Sequence, residues 1–184
     1  MTNNKGGARI SGRSMAAIFL ALCIVFSLLG LGGAKLGSLR ADVMSLYEGG
    51  EGSILDDLTR HNENAYNIIT VAKRVLGADH EAVTDAEAAY KAMNGAATPA
   101  ARYAADQELD AAITALITTL NASGLPQKTA SLVSSEKSAM DSRDMIISHS
   151  DYNARVTEYA NVVSSFPANI IALARGLGTP EYYR

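Results

Sequence analysis

Residues 15–34, MAAIFLALCIVFSLLGLGGA, are twenty consecutive positions without a charge. At about 1.5 Å of rise per residue, a helix of this run covers about 30 Å, the hydrocarbon thickness of a bilayer. One membrane-spanning helix near the N-terminus is therefore the first expectation, with the lipid bilayer as its partner. The competing reading is a cleaved secretory signal, because a basic start precedes the run and Gly32-Gly33-Ala34 offers a small-residue cleavage site. The run exceeds the ~7–15 apolar residues usual in a signal, which favours a retained anchor. Cys23, the single cysteine, lies inside the run, so neither an intrachain disulfide nor a cysteine metal site is available. Leu22 precedes it where a lipoprotein signal needs a small residue. Gly33 and Gly37, four apart, would let two such helices approach closely, an option for a homo-oligomer.

On the N-terminal side, residues 1–14 form a basic segment with Lys5, Arg9 and Arg13 and no acid. On the other side Lys35 and Arg40 follow the run. Bases flanking a span are retained in the cytoplasm, so the expected topology has the N-terminus cytoplasmic and the remainder extracytoplasmic. All 19 acids lie beyond residue 34. An acidic domain without a basic stripe has nothing to neutralise phosphates, which excludes nucleic acid as an expected partner.

Beyond the run, residues 35–52 read as a stalk and a glycine joint. Leu36, Leu39, Val43, Leu46 and Tyr47 recur at helical spacing, and then Gly49, Gly50 and Gly52 break the helix into a short flexible joint. A phosphate-binding loop fails as the alternative, since no Gly-Lys-Ser/Thr follows and no strand precedes.

Residues 53–168 carry four helical patterns. Ser53 caps the first, with Ile54, Leu58, Ala65, Ile69, Ala72 and Leu76 on one face, His61 taking one turn of it, and Gly77 ending it. The second begins near Asp79 and carries Ala82, Val83, Ala86, Ala89, Tyr90 and Met93. Thr98-Pro99 supplies a cap and a first-turn proline for the third, whose core face is Leu109, Ala112, Ile113, Leu116, Ile117 and Leu120. The fourth is expected to run unbroken over 127–165, with Leu132, Ala139, Met140, Ile146, Tyr152, Val156, Tyr159 and Val163, until Pro167 stops it. Four amphipathic helices on short loops make an antiparallel up-and-down four-helix bundle the economical solution, giving an all-α chain with one transmembrane helix. Residues 169–184 are expected to pack along the bundle as a C-terminal tail.

The run Asp151-Tyr152-Asn153, then Val156, Tyr159, Val163, Phe166-Pro167 and Asn169-Ile170-Ile171-Ala172, resembles the LemA family. That family is similar in its Tyr-Asn pair, in the aromatic seven residues later, here Tyr159, and in its closing Phe-Pro. The resemblance implies an up-and-down four-helix bundle behind one membrane helix. This chain departs from the family at Ala65-Tyr66-Asn67-Ile68-Ile69, which lacks the family's proline, and at His149, where the family has arginine. No binding site is carried over.

Chemistry is sparse. No glutamate is followed three residues later by histidine, as a di-metal bundle requires, and His61, His80 and His149 are too scattered to suggest a zinc set. No nucleophile elbow, dinucleotide fingerprint or redox cysteine pair occurs. No cofactor and no catalysis are expected. The polar residues that stand out are Tyr66-Asn67 and Tyr152-Asn153, read as tyrosines packed inward with asparagines bonding across helices, with a ligand contact as the alternative. Phe166 and Pro167 are expected to plug the bundle's end. The expected function is a non-catalytic, membrane-anchored interaction module with a membrane or envelope protein partner. The alternative is an extracytoplasmic bundle that senses a small ligand.

Overall fold

A computed structural model describes residues 11–184. Lys5 and Arg9, which enter the expected topology, lie outside the described residues. The helices are α1 (Gly12–Ser27), α2 (Gly33–Glu48), α3 (Ile54–Leu76), α4 (Glu81–Gly95), α5 (Pro99–Ala122), α6 (Gln127–Ser148), α7 (Tyr152–Ser164) and α8 (Ala168–Arg175). A single wide π-helical turn, Leu28–Gly32, joins α1 to α2 without a break, so Gly12–Glu48 is one continuous helix of 37 residues. Among the described residues nothing covers α1: Phe19, Leu20 and Phe26 are all exposed.

The protein is all-α, with the bundle expected from sequence. Helix α3 sits at its centre, packed against α4, α5 and α6, while α4 also pairs with α5. Its position follows from its sequence. Leu58, Ala65, Ile68, Ile69 and Ala72 are essentially inaccessible, the Ser53 hydroxyl accepts from the Asp56 N–H, and Asp56-Asp57 and Lys73-Arg74 sit at the ends the helix dipole favours. The Thr98 cap and Pro99 start α5 where the pattern places them.

Three features differ from the expectation. First, the stalk is packed into the bundle. Val43 and Tyr47 of α2 belong to the main core, and α2 lies along α7. The turn between α2 and α3 is tight: Gly50 and Gly52 have φ of 94° and 79°, the Ser53 N–H bonds Gly50 O, and the Gly52 N–H bonds Asp56 Oδ2.

Second, the fourth pattern is two helices, broken at residues 149–151. Ser148, His149, Ser150 and Asp151 are poor helix formers whose side chains compete for local backbone groups. Here Ser148 Oγ and His149 Nδ1 both turn to Met145 O, and Ser150 Oγ accepts from the Tyr152 N–H. The core face of α6 is Val133, Met140 and Ile147, whereas Leu132 and Ile146 are about half exposed. With the break in place, α3 pairs with α6 and α2 pairs with α7, so the two chain directions run antiparallel over their whole length.

Third, Phe166 is 80% exposed and plugs nothing, and Pro167 is also exposed. The Pro167 carbonyl instead accepts from the Ile170 and Ile171 N–H groups and starts α8, which turns back onto the π turn and α2. Gly176, at φ 64°, ends α8 with Leu177 N–H bonding Ala172 O, and the chain then runs extended across the bundle.

Candidate functional site

The second Tyr-Asn pair opens α7 and clamps the extended tail. Tyr152 is fully buried, and its hydroxyl donates to Glu181 O at 2.6 Å. Asn153 makes a two-way bond with one tail residue: its Nδ2 donates to Tyr183 O at 2.8 Å, and its Oδ1 accepts from the Tyr183 N–H at 2.9 Å. One turn or two further on, the Tyr159 hydroxyl donates to Leu177 O at 3.1 Å, and Arg40 of α2 donates to Gly178 O at 3.1 Å. A tail without regular secondary structure thus has five of its backbone groups satisfied by side chains. Burial pushes Tyr152 up to about 12, so its hydroxyl stays a donor across the physiological range.

The clamp presses Tyr183 into the bundle. Its ring stands edge-on to Tyr103 at 5.3 Å between centroids and 6.4 Å from Tyr47, which in turn lies 5.3 Å from Tyr152. The Tyr183 hydroxyl reaches Asp106 Oδ2 at 3.2 Å. Burial first, and then the Asp106 charge, raise its pKa.

Asp106 belongs to a buried ionic cluster that binds α3, α5 and α6 together. His61 of α3 has no exposed surface; its Nδ1 lies 3.3 Å from Asp106 Oδ1 on α5, and its Nε2 lies 3.4 Å from Asp144 Oδ1 on α6. Neither ring nitrogen, nor Asp106 Oδ1, has a well-aligned hydrogen bond. The attraction is one of charge more than of direction. Burial lowers the His61 pKa, but the Asp144 contact and the Asp106 charge outweigh it and leave it above the ordinary imidazole value. Asp106 is raised to about 6, by burial above all, with the His61 charge opposing. Around this centre Arg143 bonds the buried Asp57 at 2.9 Å, and Lys137 bridges Asp110 and Asp141. The ligand atoms of His61, Asp106 and Asp144 lie within 4.8 Å of one another, as do those of Asp110, Asp141 and Asp144, and these are the described groups that could face a cation.

A cleft of about 280 Å³ opens over the cluster, lined by Asp106, Asp144, Ser150, Tyr152, Asn153 and Tyr183 among others. The first Tyr-Asn pair is elsewhere. Tyr66 is half exposed and stacks on Tyr90 at 5.6 Å, while Asn67 donates to Glu136 of α6 at 3.3 Å, so only the asparagine half of the expected arrangement forms there. The histidines also part company: His61 is in the core, His80 caps α4 through its Nδ1, and His149 sits at the α6 terminus. Asp106 escaped the sequence reading, although the α5 stripe of Ile113 and Leu109, continued backward by one step, lands on it.

A central helix bundle, a helix long and apolar enough to cross a membrane running unbroken into it, and a tail clamped by tyrosine and asparagine define a small helical-bundle protein. The chain belongs to the LemA family, whose model matches residues 51–184. The match spans the bundle, the clamp and the tail, and begins at the turn after α2. A comparison with curated proteins gives no match.

Proposed function

We propose that the protein is a non-catalytic interaction module that a single N-terminal helix holds in the membrane, with the bundle extracytoplasmic and a membrane or envelope protein as its partner. The observation that carries this reading is the continuity of Gly12–Glu48: its first half is bare and apolar, and its second half is buried in the bundle through Leu36, Val43 and Tyr47. A domain joined in this way stands at a fixed attitude to the bilayer, which suits presentation of a surface. The surface best shaped for a partner is the groove of about 450 Å³ between α2 and α7, where Leu46 and Val162 are exposed beside Arg155 and Glu158.

A photo-crosslinking residue at Leu46 of the full-length protein, in its own membrane, tests this. Adducts to a membrane protein at Leu46 and none at Ser131, on the far side of the bundle, are expected. Release of the protein by alkaline carbonate would remove the anchor, and equal labelling at both positions would remove the groove.

The small-ligand reading keeps one supporting observation, the cleft beside Tyr152 and Asn153 with Asp106 and Asp144 in its wall. Acidic walls suit a small cation. A melting temperature raised by a simple diamine in the parent protein, and not in Asp106→Asn, would favour it; no rise in either would remove it.

A further inference from the structure

Helix α8 is amphipathic in an unusual setting. One face is buried: Ile171 and Ala172 pack on Leu36, with Leu29, Leu39 and Val163 around them. The approach is close because the helix it meets has glycines there. A Cβ on Gly32 would lie 2.9 Å from Ile171 Cδ1, and one on Gly33 would lie 3.1 Å from Arg175 Cγ. The glycine face that would suit a second copy is thus partly filled by this chain's own α8. The opposite face is bare. Ile170 and Leu173 of this face are 56% and 86% exposed, and Phe166, in the turn just before the helix, is 80% exposed.

The height of α8 along the long helix gives this face its occupant. The residues it meets, from Leu29 to Leu39, are the last turn or two of the uncharged run 15–34 and the first turn beyond it. Neighbouring Leu28 and Leu31 are exposed at the same level. Charge points the same way. In an acidic domain, residues 159–180 contain no acid and a single base, Arg175, whose side chain lies against Gly33, the second-last residue of the run. Apolar residues on one side and a basic side chain at the rim are what a helix lying in the boundary between acyl chains and headgroups presents.

We propose that α8 lies in the membrane interface of the leaflet where the spanning helix ends, with Phe166, Ile170 and Leu173 in the acyl region and Arg175 at the phosphates. This rests on the reading of Gly12–Glu48 as a membrane anchor. The bundle is then fixed to the bilayer at two places, the span and α8, and cannot tilt freely about the first.

The test uses the full chain with Cys23→Ser and a single cysteine at Leu173→Cys, carrying an environment-sensitive fluorophore. The substituted side chain is exposed, so the fold is undisturbed. The protein is reconstituted in vesicles of phosphatidylcholine with a minority of phosphatidylglycerol and floated on a density gradient; Ser131→Cys serves as the aqueous control. The expected result is co-flotation, blue-shifted emission at position 173 and stronger quenching there by lipids spin-labelled near the headgroup than by lipids labelled at the chain end. Co-flotation with water-like emission at 173 overturns the inference and leaves the anchor standing. Blue-shifted emission without lipid quenching also overturns it, by showing that protein covers the face. Failure to float overturns the anchor reading and this inference with it.

Discussion

Asn153 spends both ends of its amide on one residue thirty positions away, which fixes the tail at a single register. Asn153→Ala leaves the Tyr183 N–H and C=O without those partners and should cost about 1–3 kcal/mol. Faster hydrogen exchange at the Tyr183 amide, with α4 and α5 unaffected, is the expected readout; unchanged exchange would show that the aromatic contacts alone hold the tail. Phe166→Ala, by contrast, should change stability by only about 0.5 kcal/mol or less, since the ring is exposed. The pH dependence is set by His61 and Asp106. Both have pKa values above their ordinary ones, so folding takes up protons. His61 contributes stability that is complete below its unfolded pKa and is lost as pH rises through the folded one, and Asp106 loses stability as pH rises from its ordinary value of 3.8 towards about 6, where the loss is complete. Asp56, held low by the Gly52 N–H, and Glu87, held low by Lys73, act only at more acid pH. The denaturant midpoint should therefore fall between about pH 5 and pH 8, less so in Asp106→Asn; a midpoint that rises over this range would contradict the assignment. At this scale the sequence was half legible. An asparagine mid-helix signals that its amide is bonded, but not that the partner is a tail residue, because side-chain bonding carries no register.

At the scale of elements, capping chemistry was the readable part. Ser53, Thr98-Pro99 and Gly77 stand at the helix ends where their physical preferences put them, because caps are local. The helix face of α6 was not readable. Leu132 and Val133 are adjacent, as are Ile146 and Ile147, and either pair satisfies the same periodicity; only packing against α3 selects Val133 and Ile147. The break at residues 149–151 has a local signal in its serines and histidine, but an apolar period that continues on both sides masks it. The glycine turn also shows why composition alone misleads. Glycines read as flexibility, yet Gly50 and Gly52 are needed because their φ is positive. Gly50→Ala and Gly52→Ala should each destabilise by about 1–2 kcal/mol, the penalty for an L-residue in left-handed geometry. They should not fuse α2 to α3. Broader spin-label distances between α2 and α7 in these variants are the matching observation, and a melting temperature raised by either substitution would refute the strained turn.

At the scale of the whole molecule, the unbroken passage from α1 into the bundle makes topology a single binary choice. On the proposed anchor, and because α2 is buried against α7 and α8, every bundle surface lies on the side where α2 would emerge, so the groove at Leu46 and the cleft over Asp106 would be available to the same compartment. The choice falls to the bases flanking the run: Lys5, Arg9 and Arg13 before it, Lys35 and Arg40 after. Arg175 stands beside Gly33 in the folded protein and would even the count, but orientation is set as the nascent chain inserts, before α8 can fold back onto the helix. Arg175 therefore does not enter, and the orientation proposed above, N-terminus cytoplasmic and bundle outside, rests on three bases against two. A Cys23→Ser chain carrying Ser123→Cys, in the exposed turn after α5, should react with a membrane-impermeant thiol reagent in intact cells. Reaction only after the membrane is opened would reverse the orientation, and with it the leaflet in which α8 rests and the compartment from which any partner of the α2–α7 groove must come.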